Sequence, residues 1–580
     1  MKQSLLIKLR RIGPVGLIVR VLLIWFAVSF LIYPNLSMII SIFFKDGSFT
    51  TVVFKKLFSS ERAIKALANS FILAVSLVVS VNVVGIVLVL FTEYLEIKGA
   101  KLLKLAYLST LVYGGVVLNT GYKFIYGETG IITRLLQQLF PSMNPNWFTG
   151  YFAVMFVMTF ACTSNHIIFL SNAIRGIDYQ TVEAAKNMGA SFSRILIKVV
   201  LPVLKPTLFA LTILTFLTGI SAMAAPLIVG GPNFQTINPI IITFASTTYS
   251  RDIAALLAII LGVATIGLLM IMNKVEKGGN YISISKVKSK IIKQKITNPV
   301  TSIILHIVAY GLFLIYTGPI LLVILYSFTS SSAILSSEFS VSDLTLRNYI
   351  NLFTQNNAYK PYLISIIYSI LAAAAVALLA VIVSRIIQKY KNKFSTMLEF
   401  SMLIPWLLPS TMIALGLMTT YDSPHKIMFN KVLIGTSFIL LIAYVIIKIP
   451  FSLRMIKASF YSVENSLEEA ATSMGSSPLN TMLKIVLPII LPSILSVVAL
   501  NFNTLISEYD ITVFLYHPLL TPLGPVIKAA SDEAATLNAK AMSFVYAVVL
   551  MVISSLALYL VYGKKPDFRK LRSKFQKIDS

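Results

Sequence analysis

The stretches EAAKNMGASFSRILIKVVLP, Glu183–Pro202, and EAATSMGSSPLNTMLKIVLP, Glu469–Pro488, repeat one polar phrase 286 residues apart in a chain of 580. Both fit Glu-Ala-Ala, three residues, Gly, nine residues, a branched aliphatic, one residue, then Leu-Pro. The positions are Glu183, Ala184, Ala185, Gly189, Val199, Leu201 and Pro202, and again Glu469, Ala470, Ala471, Gly475, Ile485, Leu487 and Pro488. The register runs on without a gap, so that Phe216 and Thr218 recur as Phe502 and Thr504. Repetition at so long a period marks a two-unit architecture. Glu-Ala-Ala favours helix, the Gly admits a positive φ, and Leu-Pro breaks the helix before the next apolar run. Each copy therefore predicts a short helix, a turn and a second short helix.

The rest of the chain is oily. With 57% hydrophobic residues, 12% charged residues and a mean hydropathy of +0.83, its solvent must be largely lipid. The apolar runs are about 20 residues long, the length that spans a bilayer as helix, and no ten-residue alternation of a barrel is present. The expectation is an all-α integral membrane protein of about twelve transmembrane helices, arranged as two tandem six-helix repeats. The runs lie near 21–44, 66–91, 102–118, 150–172, 206–229, 253–272, 303–328, 362–387, 398–419, 433–452, 489–512 and 541–562. The first is too long for a signal h-region and no A-x-A-like site follows it, so it reads as a retained helix.

Basic residues set the orientation. With the N-terminus in the cytoplasm, the inner segments hold 33 of the 49 Lys and Arg, and both termini are cytoplasmic. Arg385 and Lys448 then fall at inner helix ends. The formal charge of +27 is mainly a product of this topology, and nucleic-acid binding is not needed to explain it. The division that follows is a first half, 1–272, with a polar loop at 173–205; a basic cytoplasmic linker, 273–300; a second half, 301–562, with its loop at 453–488; and a basic cytoplasmic tail, 563–580. The linker's lysines suit a position near anionic headgroups.

Little bond-making chemistry is visible. The lone Cys162 can form neither an internal disulfide nor a cysteine metal cluster, and His166, His306, His425 and His517 show no ligand spacing. No phosphate loop, metal-hydrolase motif or nucleophile elbow occurs, so the energy for any work comes from a gradient or from another subunit. The repeated cytoplasmic helices suit the docking of a partner. Local capping is a second account, because Ser466-Leu467-Glu468-Glu469 fits a capping box, although Gln180 stands at the cap position in the first half.

The repeated phrase resembles the signature loop of inner-membrane permeases of ATP-binding-cassette importers that work with an extracellular or periplasmic binding protein. The resemblance implies a coupling helix in each loop, seated on a cytoplasmic ATPase subunit, and hence two ATPase copies for the two loops. Glu183, Ala184, Ala185, Gly189, Glu469, Ala470, Ala471 and Gly475 are carried over as the ATPase contact. It also implies a bacterial cytoplasmic membrane location, no enzymatic activity in this chain, no cofactor bound by it, and ATP with Mg held by the partner. Two halves fused in one polypeptide look like the permeases of the ferric-iron type, with TLRNYINLF from Thr345, IPWLLPSTMIALGL from Ile404 and ISEYDITVFLYHPLLTPLGPVI from Ile506 as weaker support. The first half departs from that pattern, since the stretch from Ser109 lacks the prolines found at Pro405 and Pro409. Relatives of that type import phosphonate and thiamine, and a polyamine is a further alternative cargo.

Glu508 and Asp510 stand near the outer end of the eleventh run, where the first half has Ala222 and Ala224. Ionisable groups at membrane depth are costly and mark a pathway, gate or ion site, and carboxylates suit a hard trivalent cation. A position at headgroup level would give them no specific role, and both readings stand at this point. Glu399 reads as an interfacial residue beside Lys391 and Lys393. A gradient-driven secondary transporter is the competing function, but such proteins carry their broken or charged helices near the midplane. A membrane-embedded enzyme finds no nucleophile or acid–base pair.

Overall fold

The computed structural model describes residues 2–45, 47–111, 115–175, 177, 179–278, 293–296, 298–336, 341–390, 392–532 and 535–562. The tail at 563–580 and most of the basic linker, 279–292, lie outside these residues. Among the described residues ten helices are long and apolar enough to cross a membrane, and a further pair passes together with a bend of 105°. In the first half they are α1 (Pro14–Phe43), α2 (Glu61–Tyr94), α5 (Gly150–Arg175), α7 (Leu196–Ile220) and α8 (Arg251–Ile271). The second half holds α9 (Pro299–Ser327), α10 (Asn356–Lys389), α13 (Ser437–Tyr461), α15 (Pro478–Leu505) and α17 (Leu537–Tyr559).

The third run of each half is the exception. In the second half it breaks into α11 (Lys393–Leu403) and α12 (Ser410–Tyr421), where Pro405 and Pro409 interrupt the helix. In the first half the corresponding pieces are α3 (Ala100–Leu108) and α4 (Gly115–Tyr126). The expected continuous span at 102–118 is thus two shorter helices. The bend in the second half arises from prolines, whereas no proline stands between α3 and α4.

The two halves exchange their first helices. Residues Leu23–Leu31 of α1 sit in a core built otherwise from the second half, and Tyr421 on α12 donates its hydroxyl hydrogen bond to the Ser29 carbonyl. In the reverse direction, Tyr107 on α3 donates to the Ala309 carbonyl of α9 at 2.8 Å, and Tyr316 on α9 bonds Thr163 on α5. Each crossing has a glycine on the receiving helix opposite a proline on the arriving one: Gly416 against Pro34, and Gly121 against Pro319. A Cβ at Gly416 would stand 3.2 Å from Asn35 Oδ1 and 3.3 Å from the Pro34 carbonyl carbon, while one at Gly121 would meet its neighbours at an ordinary 3.4 Å. Gly121→Ala is therefore expected to be neutral or to stabilise by up to about 1 kcal/mol through helix propensity. Gly416→Ala should lose that gain and cost about 1 kcal/mol or more by overpacking, which thermal melting of the purified pair of variants would rank.

Candidate functional site

The repeated phrase folds twice into one motif. Helix α6 (Tyr179–Asn187) and helix α14 (Asn465–Ser473) occupy the same register, each followed by a turn, a one-turn helix (Phe192–Ile195 or Pro478–Thr481) and a π-helical turn (Leu196–Val200 or Met482–Val486). Gly189 has φ +78° and Gly475 φ +80°. At that left-handed position an L side chain is strained, which accounts for the glycine. The Ala190 N–H donates to the Ala185 carbonyl at 3.1 Å and the Gly189 N–H to the Lys186 carbonyl at 2.9 Å. Ser476 and Gly475 repeat both bonds onto Ala471 and Thr472, a Schellman closure in each copy.

The closure divides the motif's side chains. Ala185 and Ala471 are buried, anchoring the helices inward, while Glu183, Ala184, Glu469 and Ala470 face out. Met188 and Met474, just before each glycine, are both 81% exposed. Each half thus offers an identical small platform of Glu, Ala and Met with no intramolecular ion pair to either glutamate among the described residues. The capping account does not hold in the second half: α14 starts after Glu464, whose side chain makes no capping bond, and the Ser466 hydroxyl turns back to Glu464. The adjacent Glu468 is held by Arg385, whose guanidinium keeps the carboxyl below the ordinary glutamate range. A lowered pKa means that this attachment is complete above the ordinary value and is lost only as pH falls through the depressed one.

A second site lies between the halves. A cavity of about 410 Å³ is lined on one side by residues of α4, α5 and the end of α7, and on the other by the end of α15 and the turn beyond it. Thr218 faces it with its repeat mate Thr504, and Ser221 with Ser507, so hydroxyls line it from both halves. The charges come from the second half alone. Glu508 and Asp510 line it, and so do their mates Ala222 and Ala224.

The two carboxylates differ in kind. Glu508 is consumed locally: it accepts the Ile511 N–H at 2.9 Å, the Thr512 N–H at 3.1 Å and the Thr512 hydroxyl at 2.6 Å, capping the short helix α16 (Thr512–Leu515). Asp510 accepts no hydrogen bond and has no contact ion pair among the described residues. Glu508→Ala should cost about 1–3 kcal/mol by leaving buried donors without an acceptor, visible as a lowered melting temperature, with Glu508→Gln less affected.

Other sequence-based placements change. Lys448 is not at a helix end; it lies mid-way along α13, near enough for its charge to act on both Glu508 and Asp510. Its repeat mate is Cys162, which lines the cavity, and this register was the signal available in the sequence. Asn119 on α4 is only 5% exposed, lines the cavity, and has an Oδ1 without a hydrogen-bond partner; nothing in its sequence context distinguished it. Among the described residues Glu399 pairs with Lys457 and not with Lys393; Lys391 lies outside the described residues. Among the described residues no group of three or more His, Cys, Asp and Glu is placed to hold a metal ion, so the cavity is not a chelating cage.

Residues 117–274 and 377–569 match the profile described as "Binding-protein-dependent transport system inner membrane component", once in each half. The chain is 35% identical over 562 residues to the "Probable ABC transporter permease protein y4fN" of Sinorhizobium fredii, covering 96% of this chain and 98% of that one. It is 22% identical over 504 residues to the ferric transport system permease protein FbpB of Actinobacillus pleuropneumoniae, across 85% of this chain and 70% of the relative. Over 43% of its length it is 25% identical to the "Putative 2-aminoethylphosphonate transport system permease protein PhnV" of Salmonella paratyphi A, of which 90% is covered.

Proposed function

This chain belongs to the binding-protein-dependent transport system inner membrane components, and on that premise we propose that it imports ferric iron or a ferric chelate. It is a multi-pass inner-membrane permease of the ATP-binding-cassette class. The observation that carries the cargo reading is the cavity between the halves, which is lined by hydroxyls from both sides and by Asp510, a carboxylate that accepts no hydrogen bond among the described residues. Hard oxygen donors match a hard trivalent cation, and a single carboxylate without a cage favours passage over retention. The similarity to a ferric transport permease supports the same cargo.

In this reading the two platforms around Glu183 and Glu469 each seat one cytoplasmic ATPase subunit, which binds the ATP and Mg. A binding protein outside delivers the cargo, both termini lie in the cytoplasm, and closure of the ATPases draws the two loops together. The helical halves then rock between outward-open and inward-open states. The exchanged first helices support such a motion, because each half carries one helix that belongs to the other. The test is uptake of radioactive iron in cells with and without this chain, with 2-aminoethylphosphonate, sulfate and thiamine run in parallel. Loss of iron uptake alone supports the reading. Intact iron uptake with loss of one of the others transfers the cavity to that cargo.

A further inference from the structure

The two platforms are fastened to the membrane helices by different chemistry. The repeat register can be read from the hydrogen bonds themselves. Ser70 on α2 accepts the Ile237 N–H at 2.8 Å, and Ser365 on α10 accepts the Leu523 N–H at 2.7 Å. Positions on α2 therefore recur 295 residues later on α10, and positions from the polar loop onward recur 286 residues later. On that register Leu90 corresponds to Arg385 and Val182 to Glu468.

In the first half the two positions are apolar. Val182 on α6 is 2% exposed within an apolar core to which both halves contribute, and Leu90 packs against the same core. In the second half they form an ion pair: the two terminal nitrogens of Arg385 donate to the two oxygens of Glu468, each at 2.6 Å. Arg385 also donates to Gln388 Oε1 at 2.8 Å, and Gln388 Nε2 donates to the Phe460 carbonyl at 3.1 Å. The guanidinium thus ties α14 to α10 and, through Gln388, to the end of α13. Gln388 is the mate of Glu93, which binds Lys104 and Arg175 and so knits α2, α3 and α5 at the same level of the first half.

We propose that Arg385 and Glu468 are positioning residues that transmit the movement of the second platform into the membrane helices, a task the first half performs through apolar packing. The proposal rests on the reading of the platforms as ATPase seats. A bidentate fork fixes distance and angle together, and both partners are largely shielded, with side chains 18% and 25% exposed. An apolar contact resists separation but tolerates sliding. The two halves therefore respond to the same ATPase motion with different stiffness, and among the described residues it is the second whose platform helix itself is held by an ion pair that a change of charge can break.

The experiment uses the full chain with its ATPase in proteoliposomes. Spin labels at exposed Leu139 and Phe429, one on each half, in a Cys162→Ala background, report the ATP-induced change in separation. Arg385→Glu and Glu468→Arg alone should reduce that change by about twofold or more while the ATPase still co-purifies, and the two combined should restore it. An unchanged response in the single variants would overturn the proposal. So would a double variant no better than either single, or single variants that release the ATPase without rescue by the swap. If the unmodified chain captures no ATPase, it is the seating of the platforms that fails, which is a separate result.

Discussion

Replacing Glu183 and Glu469 together by Ala is expected to lower ATP-driven uptake by about tenfold or more while leaving the chain at normal abundance in the membrane. Both side chains are exposed and neither forms an ion pair within the described chain, so their removal should cost little folding stability. The loss should appear in capture of the ATPase, because each glutamate is a charged group at the centre of a small platform. Each single variant leaves one platform whole and should retain intermediate capture. A double variant with normal uptake at normal abundance would remove the glutamates from the coupling surface.

The second large effect concerns the cavity. Asp510→Ala should reduce uptake of a cationic cargo by about tenfold or more, since it removes the cavity's uncommitted negative charge. Lys448 would then face Glu508 alone, and the cavity as a whole would be less attractive to a cation. The repeat supplies a stringent control. Ala224 is the mate of Asp510 and lines the same space, so Ala224→Asp in the Asp510→Ala background should recover part of the lost uptake. Normal uptake by Asp510→Ala would show that the cargo passes without this carboxylate.

The sequence carried the architecture because the repeat is gapless where it matters. The helix, turn, short helix and π-turn of each loop lie 286 residues apart in the structure as they do in the sequence. The spans were legible because their length and apolarity are set by the bilayer, a constraint that acts on each helix separately. The broken third run of the first half was not legible, because no proline marks the gap between α3 and α4. Nor was the exchange of first helices, which depends on which surfaces meet rather than on what any one segment prefers.

The cavity shows the same division. Glu508 and Asp510 stood out as charges in an apolar run, yet only the hydrogen bonds of Glu508 separate that cap from the carboxylate that accepts none. Lys448 was visible but misplaced, since a basic residue in an apolar run looks like a helix end until the helix is seen to continue through Tyr461. Asn119 was invisible, because an unpaired amide oxygen is a property of packing and not of composition. Arg385 and Glu468 are 83 residues apart, and only the folded contact identifies them as one pair.

The most direct measurement is accumulation of radioactive ferric iron in proteoliposomes that contain this chain with its ATPase and binding protein, with ATP enclosed or omitted and no ion gradient imposed. Uptake is expected only when ATP and the binding protein are both present, and it should collapse in the Asp510→Ala chain. Uptake that proceeds without ATP, or that follows an imposed gradient, would contradict that expectation.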